Sequence, residues 1–418
     1  MNGTEPLKIK HHSLTGRITP ELMSKAFKSV RKNRGAAGID RQSIEMFESN
    51  LEQNLVALMK DLKTGTFTPK PALRKHIDKG GGKTRPLGIP CVRDRVAQEV
   101  LRQLLTPLFE LLFHDNSYGF RPGRSCHDAL TEVDRLHELG YRFVFDADIQ
   151  GFFDNIPHPV IMKGLTNVVA DGNILNLIEK FLLAGVMENG LRTPTTVGTP
   201  QGGVLSPLLA NIALNFLDWR LDKAGFHFAR YADDFVILCQ SERQAQEAWE
   251  VARQCVEELG LKFSPEKTKI AKFKEGFAFL GFTITHKARK IRPKSLERFK
   301  DRMRDLTIRS HNLDAKVVSK INAVIRGYAN YYATPFATVQ TQFRYLDSWL
   351  RTRLRCMKHK RFSRMDNCRF TNKHIKKLGV FSLSDYVTAV GCLPCTPRGA
   401  ILRGSPIRER RIVVNTGN

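Results

Sequence analysis

The chain has 418 residues, 67 Lys and Arg against 41 Asp and Glu (net charge +26), and 42% hydrophobic residues. That hydrophobic content excludes wholesale disorder, and the length suggests two to four domains at roughly 100–200 residues each. So large a positive surplus calls for a polyanionic partner, with nucleic acid the first expectation.

The charge is uneven. Residues 286–418 hold 30 Lys and Arg against 8 Asp and Glu, a net +22, whereas residues 1–285 carry only +4. The near-neutral part tolerates acids and is where chemistry is sought; the basic part is suited to gripping phosphate. No apolar run reaches the roughly 18 residues of a membrane span, and the polar start, Met1 to His12, lacks a signal-peptide core. Eight cysteines are scattered, several in apolar segments, which reads as reduced intracellular thiols rather than a disulfide framework.

In chain order, residues 20–63 read as helical, with apolar residues at three-to-four spacing around a basic loop. Residues 66–90 read as two short strands around DKGGGKTR. Arg93 to Phe113 reads as an amphipathic helix that Pro107 kinks or ends. Residues 141–149 read as a strand, 173–185 as a helix, and a further helix follows Gly202 through Leu217. Residues 226–239 read as two strands interrupted by acids, followed by a helix at 242–259 and a strand at 277–284. Three basic amphipathic helices then follow, the first capped by Ser295. Residues 366–418 read as a small or partly irregular basic extension.

Two acidic spots lie in strongly apolar strands, Asp146-Ala-Asp148 and Tyr231-Ala-Asp233-Asp234. Buried carboxylates are costly unless paired or bound to metal. Alternation puts Asp146 and Asp148 on one strand face. If the two segments neighbour each other in a sheet, Asp148 and Asp233 share two Mg²⁺ about 4 Å apart, the arrangement for in-line nucleotidyl transfer. The plainer alternative is that the acids cap turns or pair with Arg230 and Arg142. DKGGGKTRP fails the phosphate-loop spacing, because Ile77 stands where a Gly is needed. Cys392-Leu-Pro-Cys395 has zinc-like spacing but lacks a second pair.

Many motifs occur in order: GAAGID (35–40), TRPLGIP (84–90), SYGFRPGRSCHDAL (117–130), DADIQGFFD (146–154), TPQGGVLSPLLANIALN (199–215), YADD (231–234), LKFSPEKT (261–268), FLGF (279–282) and GYANYY (327–332). Over roughly residues 24–360 the chain resembles the bacterial group II intron reverse transcriptase/maturase family. The resemblance implies an α+β right-hand polymerase, with fingers, a palm of antiparallel sheet flanked by helices, and an α-helical thumb. It divides the chain into an N-terminal extension and start of the fingers (1–65), fingers and palm (66–285), a maturase X-like thumb (286–365) and a basic C-terminal extension with a DNA-binding role (366–418).

The same resemblance implies the residue roles. Asp148, Asp233 and Asp234 are catalytic, and Asp148, the Ile149 carbonyl and Asp233 hold two Mg²⁺, with Mn²⁺ as a substitute. Lys79, Arg85, Gln201, Gly202 and Lys267 meet the incoming dNTP, Lys267 as general acid or as a solvated lysine. Phe153 closes the pocket under the sugar and excludes a 2′-OH. Tyr231, Leu280, Gly281, Arg351 and Arg355 line primer or template, while Arg121 contacts template, braces the active-site sheet or makes an internal salt bridge. The implied function is RNA-directed DNA synthesis on an RNA template from a DNA or RNA primer, combined with maturase binding of structured intron RNA and target DNA. The alternatives are a host-recruited reverse transcriptase in DNA repair or phage defence, or a maturase acting mainly as a splicing cofactor. The implied location is the bacterial cytoplasm, at the nucleoid, without a membrane role.

Overall fold

The computed structural model describes residues 10–78 and 84–389. The chain divides into two compact units, Met1–Arg292 and Pro293–Asn418.

The first unit begins with helices whose ends are written in the sequence. Pro20–Asn33 is capped by the Thr19 side chain, with Pro at its first turn, where a missing N–H costs nothing. Its Met23, Ala26, Phe27 and Val30 are buried. They share one continuous core with Leu58 and Leu62 of helix Leu51–Thr64, with helix Val92–Glu110, and with residues as distant as Leu261. Val92–Glu110 continues past Pro107 rather than ending there. Burial of Leu105 and Phe109 on either side outweighs the one lost backbone bond.

Eleven strands are present among the described residues: β1 (Ala72–Asp78), β2 (Thr84–Ile89), β3 (Phe143–Asp148), β4 (Val186–Glu188), β5 (Leu191–Thr193), β6 (His227–Tyr231), β7 (Asp234–Cys239), β8 (Lys269–Lys272), β9 (Phe277–Phe279), β10 (Phe282–Ile284) and β11 (Arg289–Ile291). They form three sheets, ordered β2-β1-β4-β5, β6-β7-β3-β8 and β11-β10-β9. The middle sheet is antiparallel throughout. Phe145 of β3 stacks on Trp249 of helix Glu242–Glu258 with ring centroids 6.0 Å apart. One face of β3 is thereby committed to the core, and strand alternation turns Asp146 and Asp148 to the other.

Three expectations need correction. Residues 277–284 are a hairpin, not one strand, because Leu280 (φ 46°) and Gly281 (φ 81°) form a two-residue left-handed turn between β9 and β10. Ser295 does not cap a helix, which begins at Pro293; its carbonyl accepts from the Tyr328 hydroxyl at 3.3 Å. Residues 366–389 are not an irregular extension. They form the short helices Asp366–Arg369, Asn372–Lys377 and Leu383–Ala389.

The second unit is helical: Pro293–Leu306, Ala315–Tyr332 and Gln340–His359, with the short helices packed on them. Phe299, Met303, Ile321, Ile325, Phe343, Leu346, Leu350 and Leu354 are buried. Asp347 receives the N–H groups of Leu383 and Ser384 and the hydroxyls of Ser382 and Ser384, so one buried carboxylate caps the last helix. Among the described residues no helix is long and apolar enough to cross a membrane. Their six cysteines are unpaired; Cys392 and Cys395 lie outside the described residues.

Candidate active site

The acids converge where β3, β6 and β7 end. Asp148, last in β3, lies directly opposite Asp234, first in β7. Asp146 is two residues back on the same face. Ala232 and Asp233 form the turn joining β6 to β7, which closes on the Tyr231–Asp234 pair. Ala232 is nearly fully buried and left-handed, with φ 59°, a conformation that costs an L-residue about 1–2 kcal/mol. Gly119 packs against this turn so closely that a Cβ there would fall 2.3 Å from the Ala232 nitrogen.

Four carboxylates in so small a space repel. Burial pushes Asp234 up to about 7, and the Asp146, Asp233 and Asp148 charges push the same way. Asp146 is raised to about 6, chiefly by burial and against the pull of Lys269 and Arg292. Asp233 is raised as well, first by burial and then by Asp148, with Arg85 and Lys267 opposing. Lys267 Nζ donates to Asp148 Oδ2 at 2.9 Å across an open surface. Neither Arg230 nor Arg142 pairs with these acids. Arg230 is fully buried on Asp218, and Arg142 donates to the carbonyls of His137 and Tyr141.

Ile149 is buried and bridges to Phe263 in antiparallel fashion. The Asp148 carbonyl accepts from the Ser264 N–H at 2.8 Å, which ties the SPEKT turn and Lys267 to the end of β3. Phe153 sits in the short helix Phe152–Asn155, its ring edge-on to Phe152 at 5.4 Å. Its carbonyl accepts from Thr199 N–H at 2.7 Å. The TPQGG loop is therefore laced to the segment after β3. Gln201 reaches both ways: its Nε2 donates to Asp154 Oδ2 at 2.9 Å, and its Oε1 accepts from Arg85 Nε. Gly202, with φ 108°, lies where any Cβ would strike the Gly88 carbonyl, so only glycine lets β2 and this loop meet. Lys79 lies outside the described residues.

Tyr231 lies beside Phe120, with ring centroids 6.1 Å apart. Burial and a hydrogen bond with Cys126 push its phenol up to about 12. The Leu280 backbone hydrogen-bonds the Asp234 carboxylate, so the β9–β10 turn joins the acid cluster.

Two expected strand-contacting arginines are engaged internally. Arg121 gives its guanidinium to Glu110 and to the carbonyls of His114 and Ser117, with its side chain 2% exposed. It makes an internal salt bridge, with partners in helix Val92–Glu110 and the loop that follows it. Arg355 is buried on the Phe370 carbonyl and Asn372 Oδ1, so it fastens the C-terminal helices. Arg351 remains half-exposed. Asp154 and Asn211 lie inside two of the ordered motifs, 146–154 and 199–215, without an expected role there, and Asp218 lies outside all of them. Only the partners they find in three dimensions set them apart from ordinary helix polar residues.

Residues 77–284 match the family described as reverse transcriptase (RNA-dependent DNA polymerase), and residues 296–379 match the group II intron maturase-specific domain. Protein YkfC of Escherichia coli K12 is 34% identical over 309 residues, covering 64% of this chain and 81% of YkfC. The group II intron-encoded protein LtrA of Lactococcus lactis subsp. cremoris is 42% identical over 205 residues, 48% of this chain and 33% of LtrA. The putative COX1/OXI3 intron 2 protein of Saccharomyces cerevisiae is 31% identical over 222 residues, 53% of this chain and 26% of its own length. The chain thus spans about a third or less of the two intron-encoded relatives.

Proposed function

Since the chain belongs to the group II intron type of reverse transcriptase, a polymerase domain followed by a maturase-specific domain, we propose that it extends a primer with dNTPs at a centre built on Asp148 and Asp233. On this reading the antiparallel sheet is the palm, the β1–β2 hairpin belongs to the fingers, and the helical unit is the thumb. The observation that carries it is the pairing of Asp148 opposite Asp234 with Asp233 in the adjoining turn.

The donors suit a hard divalent cation. Among the described residues no three His, Cys, Asp or Glu side chains form a ready-made cage, and Mg²⁺ sites commonly use one or two carboxylates completed by water and substrate phosphate. Burial first, and the neighbouring carboxylates second, raise Asp233 and Asp234, and a cation would favour the charged form of both. Two Mg²⁺, with Mn²⁺ as a substitute, would activate the primer 3′-hydroxyl and take up charge on the triphosphate.

The chain's own residues do the rest. Asp148, Asp233 and the Ile149 carbonyl would hold the ions. Asp234, bound to the Leu280 backbone, orients the Leu280–Gly281 turn against the primer strand, with Tyr231 near its terminus. Arg85, aligned by Gln201, meets the triphosphate, joined by Lys79. Lys267 leaves Asp148 for the departing pyrophosphate, to which it gives a proton. Gly202 lets the template base approach, and Phe153 bounds the sugar. Chelation by EDTA is expected to stop primer extension and added Mg²⁺ to restore it; extension that continues in excess EDTA would contradict the reading.

A second role, binding of structured intron RNA, has its own support in the maturase-specific match over 296–379 and in exposed Arg344, Lys358 and Arg364. Replacing these three by Gln is expected to lower the slope of log affinity against log salt by about 0.7–0.9 for each phosphate that is no longer neutralised. An unchanged slope would remove this face from RNA binding.

A further inference from the structure

Three of the ordered motifs meet in one buried cluster behind the Ala232–Asp233 turn, and the reaction described above gives that cluster no task. At its centre is Arg230, fully buried. A guanidinium has five N–H donors, and all five are matched. Nε and Nη2 bind the two oxygens of Asp218, which is equally buried. Nη2 also donates to Ser117 Oγ at 2.7 Å. Nη1 donates to Asn211 Oδ1 and to the Ala232 carbonyl, each at 3.0 Å. Asn211 Nδ2 in turn donates to the Gly119 carbonyl at 2.8 Å. The backbone completes the clamp: Tyr118 N–H to Arg230 O at 2.8 Å, and Arg230 N–H to Asn116 O at 2.9 Å.

The 116–119 loop, the helix Ser206–Lys223 and strand β6 are thus tied together, and one bond leaves the cluster toward the site. It goes to the carbonyl of the residue held at φ 59°. Gly119 packs against the backbone of the same turn. A left-handed alanine persists only when its surroundings over-determine it, and here they do.

We propose that Arg230, oriented by Asp218, Asn211 and Ser117, is a positioning residue that locks the Ala232 turn and thereby sets where Asp233 stands. The proposal rests on Asp233 acting as described above. Lysine at position 230 keeps the charge beside Asp218 but has three donors on a single nitrogen, so it cannot serve Asp218, Asn211 and the Ala232 carbonyl together. Asn211→Ala removes one acceptor of Arg230 Nη1 and the link to Gly119 while keeping both partners of the Arg230–Asp218 pair.

The test measures primer extension, primer–template affinity and amide hydrogen exchange on the full chain. For Arg230→Lys, kcat is expected to fall about 100-fold, the order that a 1 Å misplacement costs. For Asn211→Ala the expected fall is about tenfold, with dNTP KM and primer–template Kd within about twofold in both variants. Exchange should rise at residues 232–234 while β6 and β7 interiors such as Phe228 and Ile237 stay protected. Leu177→Ala, a core cavity in helix Gly172–Leu183, which packs on helices Leu51–Thr64 and His158–Thr166, serves as the control for lost stability and should keep kcat within about twofold when assayed well below its midpoint. Should Arg230→Lys fail to fold, Asn211→Ala decides. Unchanged kcat in Asn211→Ala, or exchange rising across the whole sheet, overturns the positioning role. If Asp233→Ala itself remained active, the catalytic reading would fall instead, so the two failures are distinguishable.

Discussion

Asp233→Ala is expected to lower kcat for primer extension by about 10³-fold or more while leaving primer–template binding within about twofold. The size follows from the charge stabilisation at stake. Metal-held carboxylate sites supply several kcal/mol to a phosphoryl-transfer transition state, and each 1.36 kcal/mol is a factor of ten. The separation of effects follows from geometry. Asp233 sits in a two-residue turn, and its side chain supports neither the ladder between β6 and β7 nor the core beneath. Alanine tolerates most turn conformations, and deleting a charge already raised by burial and by Asp148 relieves repulsion rather than leaving a partner stranded. The fold should therefore survive, as a native-like thermal transition would verify. Substantial extension by a folded Asp233→Ala variant would remove the residue from the reaction.

The second large effect is on sugar choice. Phe153→Ala is expected to raise ribonucleotide use relative to deoxyribonucleotide use by about 10²-fold, near the ceiling for discrimination by an apolar wall against one added hydroxyl. Phe153 can serve as such a wall because it is fixed twice, by its ring against Phe152 and by its carbonyl on Thr199. The same chain segment carries Asp154, which anchors Gln201, so Phe153 and the loop of Gln201 are tied together. The measurement is the ratio of kcat/KM for a ribo- and a deoxynucleotide of the same base. A ratio equal to that of the unaltered chain would take Phe153 out of that role.

The acids were legible in the sequence because carboxylates inside apolar strands are conspicuous against the cost of burying them. The alternation of β3 was legible for the same reason. The register that sets Asp148 against Asp234 was not, since nothing local fixes which strands pair. The break in 277–284 was hidden by its own composition. FAFLGFTI is apolar but for Gly281 and Thr283, and the left-handed turn begins on Leu280, a residue type that does not advertise one, so Gly281 alone marked it. The β4–β5 turn shows a different difficulty. Asn189-Gly190, both at positive φ, is an ordinary hairpin signal, but it joins strands of three residues each, too short for alternation to show. Arg121 and Arg355 show the limit of charge counting. A guanidinium that faces phosphate and one that ties backbone carbonyls look alike in a sequence, and only the partners here, Glu110 for one and Phe370 for the other, tell them apart. The basic surplus of residues 286–418 therefore overstates the surface free to bind nucleic acid, because Arg353, Arg355 and Lys360 also serve to hold loops.

The central claim is that Asp148 and Asp233 together hold the divalent ions of a polymerase. It is tested most directly by titrating Mn²⁺ into the full chain with primer–template and a dNTP, following free Mn²⁺ by electron paramagnetic resonance. Two ions should bind to the unaltered chain, as the two-ion arrangement requires, and neither should bind tightly to the Asp148→Asn, Asp233→Asn double variant, although it still holds primer–template. Full Mn²⁺ binding by the double variant would contradict the claim.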